Sequence, residues 1–146
     1  LERIKKFATN RKCVLILHKI TEVTLEEMGQ LEELKQNDNF VLLPRVDYFD
    51  FMKLLNGAQY VITDGGSNQE ELHYMGKPCL IMRKTTERQE GIGQNAVLYG
   101  GDIAAMDAFE KKYEEYRLDS LLEENSPSRV IAEALSVVWQ KERQRV

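Results

Sequence analysis

Val61-Ile62-Thr63-Asp64-Gly65-Gly66-Ser67-Asn68-Gln69-Glu70-Glu71 decides how the rest of this chain is read. Tyr60 to Thr63 is aromatic and β-branched, about the length of a buried strand, and no polar side chain interrupts it before Asp64. The glycine pair Gly65-Gly66 then permits a sharp turn and a close backbone approach to a ligand, because neither residue carries a Cβ. Ser67 or Asn68 is placed to cap a helix through Glu70, Glu71, Leu72 and Tyr74, which ends at Gly76, a residue suited to the left-handed C-terminal position. A helix start of this kind presents unpaired N–H groups and the positive end of the helix dipole, and so favours an anion. Glu70 and Glu71, one turn further in, would repel a phosphate lying on them but suit hydroxyl groups beside it. Phosphate at Gly65 to Ser67 and ribose at Glu71 is the arrangement this spacing allows. Taken alone, the turn is also what a well-made strand-to-helix connection looks like, since it is neither the GxGxxG fingerprint nor a P-loop.

Composition narrows the class. The 146 residues are 42% hydrophobic and 30% charged, which suits one ordinary globular domain, here taken as residues 1–146. A net charge of −4 leaves no excess of cations to displace phosphate counterions, so nucleic acid is not an expected partner. No apolar run approaches the roughly 20 residues that cross a bilayer. The opening Leu1-Glu2-Arg3-Ile4-Lys5-Lys6 has no signal-peptide core and enters a charged helical segment without Met, which reads as a cytoplasmic segment of a longer polypeptide. Cys13 and Cys79 lie inside apolar runs and read as small buried hydrophobes, not as a disulfide. His18 and His73 stand far apart with no CxxC or HxxxH spacing, so no metal is signalled.

Around the central turn, strands and helices alternate. Leu1 to Asn10 suits a helix and Cys13 to Leu17 an unbroken apolar strand that ends at His18. Thr24-Leu25-Glu26-Glu27 has the form of a capping box opening a helix to about Gln36. Phe40 to Leu43 reads as a second buried strand, followed by the loop Pro44 to Tyr48 and a helix from about Asp50 to Asn56, closed by Gly57. Pro78 to Met82 is a further strand. The polar loop Arg83-Lys84-Thr85-Thr86-Glu87-Arg88-Gln89-Glu90 follows it with three cations and two hydroxyls. Ala96 to Tyr99 is a short strand and Asp102 to Tyr116 a helix. Ser126-Pro127 starts a last helix with Val130, Ile131, Ala134, Leu135, Val138 and Trp139 on its apolar face. Alternation with short connections predicts an α/β fold, a Rossmann-like parallel sheet with helices on both faces. Right-handed crossovers would bring the loops at His18, Pro44–Tyr48, Gly65–Ser67 and Arg83–Arg88 to one edge of that sheet, where ligands collect.

Three stretches in this order resemble the C-terminal half of the non-hydrolysing UDP-N-acetylglucosamine 2-epimerases. That family carries Thr-Asp-Ser-Gly-Gly-x-Gln-Glu-Glu, then Leu-Gly-Lys-Pro, then Arg-x-Thr-Thr-Glu-Arg-Pro-Glu. Here stand Thr63 to Glu71, Met75-Gly76-Lys77-Pro78, and Arg83 to Glu90. Val46-Asp47-Tyr48-x-x-Phe51 and Ser128-Arg129-Val130-Ile131 are weaker matches to the same family. The resemblance implies one half of a GT-B-type two-domain fold, with the N-terminal domain outside this chain and a homodimer compatible with it. It implies that Gly65, Gly66 and Ser67 hold the diphosphate, Glu71 the ribose, Arg88 the diphosphate charge, and Tyr48 borders the uracil. His18 would bear on the departing nucleotide as the catalytic residue of this half. The implied reaction interconverts UDP-N-acetylglucosamine and UDP-N-acetylmannosamine in polysaccharide biosynthesis. The C2 proton leaves, UDP is eliminated, and UDP then re-adds at C1 while C2 takes a proton on the other face, without metal or other cofactor. The acid and base carboxylates would come from the other domain, so this chain would bind UDP without turning over by itself. A GT-B glycosyltransferase, a hydrolysing epimerase, or a non-catalytic UDP-sugar-binding domain would use the same cradle. Gly65 and Ser67 exchange places relative to the family's Ser-Gly-Gly, Gln89 replaces proline, and Lys19-Ile20-Thr21-Glu22 keeps the motif after His18 only in part.

Overall fold

The computed structural model describes residues 1–122 and 127–143, so the expected cap at Ser126 lies outside the described residues. The chain forms two compact units, Leu1–Gly57 and Ala58–Val146.

In the first unit, helix α1 (Glu2–Phe7) runs into a 3-10 turn (Ala8–Asn10) and strand β1 (Cys13–Leu17), as the apolar spacing predicts. Helix α2 (Lys19–Glu27), helix α3 (Leu31–Gln36), strand β2 (Phe40–Pro44) and helix α4 (Tyr48–Gly57) follow. Strands β1 and β2 pair in parallel, from Cys13 beside Phe40 to Leu17 beside Pro44. Ala8, Leu25, Leu31, Leu34 and Phe40 form the core, with Ile4, Cys13, Leu15, Leu17 and Leu42 packed against it. Alternation along the strands leaves Val14 and Val41 exposed.

The capping-box reading of Thr24 is overturned. Helix α2 already starts after His18, and the Thr24 hydroxyl donates back to the Ile20 carbonyl at 2.9 Å, as a threonine inside a helix does. The helix also stops early, because Gly29 adopts φ +66 and separates α2 from α3. Likewise α4 begins at Tyr48, not Asp50, with the Asp47 carboxylate accepting from the Asp50 N–H at 3.0 Å. Tyr48 is therefore the first residue of a helix, not part of the preceding loop.

In the second unit, β3 (Val61–Thr63), β4 (Cys79–Ile81) and β5 (Ala96–Leu98) form a parallel ladder in that order. Helix α5 (Gly66–Tyr74) connects β3 to β4; helix α6 (Ile103–Lys112), a 3-10 turn (Tyr113–Tyr116) and helix α7 (Pro127–Arg143) follow β5. Leu72, Cys79, Leu80, Ile81, Ala96, Met106 and Phe109 are buried. Tyr60 and Tyr116 lie against Phe109 with ring centroids 5.5 and 5.6 Å away. Asp102 caps α6 by accepting from the Ala104 N–H at 2.8 Å. The apolar face read for the last helix does not enter a core: Val130, Ile131, Leu135 and Trp139 are exposed.

At the C-terminal end of α5, Lys77 N–H bonds Leu72 O at 2.9 Å and Gly76 N–H bonds His73 O at 3.0 Å, the paired closure of a Schellman motif. Gly76 has φ +64, and a Cβ there would run into the Leu118 carbonyl. Both facts demand glycine. Buried Asn95 holds the same helix end to the sheet: its Nδ2 donates to Leu72 O at 3.1 Å and Lys77 O at 2.7 Å, while its Oδ1 pairs with His73 Nδ1 at 3.1 Å.

Candidate functional site

Parallel pairing of β3 and β4 sets Thr63 beside Ile81, so the Gly65 turn and the Arg83 loop leave the same edge of that ladder. The Met82 N–H continues the ladder to the Thr63 carbonyl at 2.8 Å, and Gly100 N–H holds the Arg83 carbonyl at 2.9 Å. The loop from Arg83 to Glu90 is thereby anchored where it begins, next to the start of α5.

The cap expected at Ser67 or Asn68 lies elsewhere. Gly65 is the N-cap with an extended backbone (φ −83, ψ 125), and α5 starts at Gly66. Thr63 explains the shift: its Oγ1 accepts from the Gly65 N–H at 3.0 Å and from Asn68 Nδ2 at 2.9 Å, drawing Asn68 into the helix's first turn as a brace. A Cβ on Gly65 would stand 3.0 Å from Asn68 Nδ2. The Asn68 amide thus occupies the space that a side chain at 65 would need. The Gln69 N–H is the first to find a carbonyl within this helix, Gly65 O at 3.2 Å, so the amides of Gly66, Ser67 and Asn68 precede the ladder at the positive end of α5.

Arg88 lies directly over that helix start. A Cβ built on Gly66 would be 3.3 Å from Arg88 Nε and 3.5 Å from both Arg88 Cγ and Glu87 Oε1. One guanidinium nitrogen, Nη1, pairs with the Glu70 carboxylate from the first turns of α5. Nε is buried and makes no hydrogen bond, with Glu87 Oε1 3.8 Å from it. A buried N–H donor without an acceptor is costly unless something accepts from it. Here it sits beside the amides of a helix N-terminus, where an oxyanion would serve both. Glu87 is held below the usual carboxylate range, first by a hydrogen bond from its own backbone and then by the charges of Arg83 and Arg88. It stays ionised at neutral pH and limits the net positive charge of the loop.

Of the residues singled out from sequence, Gly65, Gly66, Ser67, Glu71 and Arg88 all belong to the second unit, and the fold brings Gly66 and Arg88 into contact. Glu71 is half-buried in the second turn of α5. His18 and Tyr48 belong to the first unit. His18 is exposed at the end of β1, where its carbonyl accepts from Glu22 N–H at 2.9 Å and its side chain makes no capping bond. Tyr48 is exposed and meets Phe49 edge-on at 5.8 Å. Gln69 and Thr86, which hold the loop of Arg88, were not singled out, and Glu70, which pairs with its guanidinium, was read only as a neighbour of hydroxyl groups. Their signal was present only as the order Gln-Glu-Glu and Thr-Thr-Glu-Arg. Among the described residues, no group of three or more His, Cys, Asp or Glu side chains could hold a metal ion, and no helix is long and apolar enough to cross a membrane.

Comparison with known proteins gives this geometry its family. Residues 1–122 match the family model of UDP-N-acetylglucosamine 2-epimerase. The chain belongs to that family. It is 46% identical over 68 residues to the UDP-N-acetylglucosamine 2-epimerase of Yersinia pestis, which covers 47% of this chain and 18% of that protein. It is 33% identical over 99 residues to that of Methanococcus maripaludis, covering 67% of this chain and 26% of the relative. The solved UDP-GlcNAc 2-epimerase of Methanocaldococcus jannaschii superposes on 93% of this chain with a TM-score of 0.77 at 26% identity, over 38% of its own length. A second structure of that enzyme, in complex with UDP-GlcNAc and UDP, matches with a TM-score of 0.76. The expected class, Rossmann-like parallel α/β of the GT-B type, is thus the class of this 2-epimerase family chain, which spans well under half the length of these relatives.

Proposed function

We propose that this chain is the C-terminal, UDP-binding half of a UDP-N-acetylglucosamine 2-epimerase, residues 1–146 forming the nucleotide-sugar-binding part of a longer enzyme. The observation that carries this reading is the guanidinium of Arg88 packed on Gly66 at the N-terminus of α5, with a buried Nε that lacks an acceptor. Family membership and a solved relative in complex with UDP-GlcNAc and UDP support the same ligand here.

In this proposal the backbone N–H groups of Gly66 and Ser67, opened by Gly65, receive the diphosphate, and Arg88 faces its charge. Glu71, one turn deeper, accepts from the ribose hydroxyls, since a carboxylate is acceptor-only when ionised. The chemistry removes the proton from sugar C2 and breaks the bond from C1 to the UDP oxygen, leaving a 2-acetamidoglucal and UDP. UDP then re-adds at C1 as C2 takes a proton on the opposite face. The task of this half is to stabilise the charge that grows on the departing diphosphate, using donors already in place. The carboxylates that move the proton would belong to an N-terminal domain.

Titration of the protein with UDP tests the site. Binding in the micromolar to millimolar range, about −8 to −4 kcal/mol, is expected for the parent sequence. It should be weakened at least tenfold in both Glu71→Ala and Arg88→Ala. Unaltered binding in both variants would overturn the assignment. With the complete polypeptide, epimerisation consumes no UDP-sugar and releases no stoichiometric UDP; release in step with product would point to hydrolysis or transfer instead.

A further inference from the structure

We infer that Gln69 is a positioning residue, the clamp that sets Arg88 over the start of α5; this rests on the nucleotide site proposed above. Gln69 has 0% of its surface exposed, although it is polar and lies in the first turns of a helix. A fully buried amide must have its bonds satisfied, and the ones it makes all reach a single loop. Its Nε2 donates to the Arg88 carbonyl at 3.3 Å and to the Glu90 carbonyl at 2.8 Å. Its Oε1 accepts from the Thr86 hydroxyl at 3.0 Å. The same hydroxyl oxygen accepts from the Arg88 N–H at 3.2 Å. Both backbone polar groups of Arg88 are therefore tied, the carbonyl to Gln69 directly and the N–H through Thr86.

The consequence lies in where the loop is held. Gln69 and Glu70 are adjacent on α5, so one fixes the main chain of Arg88 while the other pairs with its guanidinium. An arginine side chain has many rotamers, and ordering it costs free energy that a bound anion would otherwise have to supply. With its backbone clamped and its tip paired, Arg88 is arranged before any ligand arrives. Only an amide fills the position. It must donate to two carbonyls and accept from one hydroxyl; a carboxylate of the same shape would face the carbonyls with oxygen, and an apolar side chain would release all three.

The test is a double-mutant cycle read as UDP affinity by calorimetry, with a thermal melt to establish that each variant is folded. Gln69→Met keeps the volume and removes the hydrogen bonds; Thr86→Val removes the hydroxyl from the other side of the clamp. Each should weaken UDP binding by about tenfold while Arg88 is present. Each should have less than about a twofold effect in the Arg88→Ala background, because the residue it positions is gone. Equal fold-losses with and without Arg88, or unchanged affinity in folded single variants, would overturn the inference. Should Gln69→Met fail to fold, the Thr86→Val cycle decides by the same criterion. If instead Arg88→Ala alone binds UDP as the parent does, the nucleotide site fails, an outcome distinct from failure of the clamp.

Discussion

Gly66→Ala should separate folding from ligand binding, because the two effects of one methyl group run in opposite directions. Gly66 is the first residue of α5 and has no positive φ, so alanine meets no backbone penalty. Removing glycine's freedom from the unfolded chain, and raising helix propensity, together favour the folded state by up to about 1 kcal/mol. Against this stands the new Cβ at 3.3 Å from Arg88 Nε and 3.5 Å from Glu87 Oε1. Those contacts are with side chains and not with backbone, and side chains yield by a few tenths of an ångström at little cost. Stability should therefore be unchanged or slightly raised, by roughly 0 to 1 kcal/mol in urea unfolding. The ligand site responds differently. The methyl group occupies the approach to the first amides of α5 and displaces the guanidinium that faces them. Loss of one charge-assisted hydrogen bond, worth about 1.5–3 kcal/mol, would weaken UDP binding by roughly tenfold to a hundredfold. Calorimetric titration of the variant, beside a urea melt, checks both halves. Parent-like UDP affinity would refute the placement of anion and Arg88 over Gly66. A fall in stability of more than about 1 kcal/mol would refute the reading of the loop as yielding.

Three further outcomes follow from packing inside the individual units. Gly29→Ala and Gly76→Ala both force alanine to a positive φ, +66 and +64, but a Cβ meets nothing within 4 Å at Gly29 and strikes the Leu118 carbonyl at Gly76; urea unfolding should show a loss of about 1 kcal/mol for the first and about 2–4 kcal/mol for the second. Asn95→Leu leaves the buried Leu72 and Lys77 carbonyls without the donor they share, and should destabilise by about 2–5 kcal/mol in the same assay. Burial pushes the Cys79 thiol up to about 12 from 9.0. At pH 8 its thiolate fraction, and with it the rate of alkylation by iodoacetamide in folded protein, should fall about a thousandfold below that of a free thiol, returning on denaturation.

Why some of this was legible in the sequence and some not follows from the range of the interactions. The strand Cys13–Leu17 was read to the residue because an apolar run bounded by polar side chains needs no distant partner to be recognised. The turn Asp64-Gly65-Gly66 was legible for the same reason, and so was Gly76, where the left-handed closure is a local event. Thr24 misled because threonine followed by a glutamate fits a helix start and a helix interior equally well. The Ile20 carbonyl, one turn earlier, decides between them, and its availability depends on α2 having already begun at Lys19. The stripe from Val130 to Trp139 announced a helix with one apolar face, but periodicity carries no statement of what covers that face.

The site shows the same boundary between local and distant effects. Its glycines could be picked out because they stand together, whereas Gln69 bonds Thr86, Arg88 and Glu90, which lie 17 to 21 positions away. That contact exists only because Thr63 and Ile81 are register partners, which sends the Gly65 turn and the Arg83 loop off one edge together. A buried glutamine written in sequence between Asn68 and Glu70 looks like one more solvated helix residue. What marks it as different is the count of its bonds: two donated, one accepted, and all of them spent on the loop that carries the arginine. The glycine turn alone is compatible with many strand-to-helix connections. A turn with an arginine fixed over it by the helix's own fourth and fifth residues, Gln69 from the core side and Glu70 from the solvent side, is the arrangement on which the proposed anion site rests.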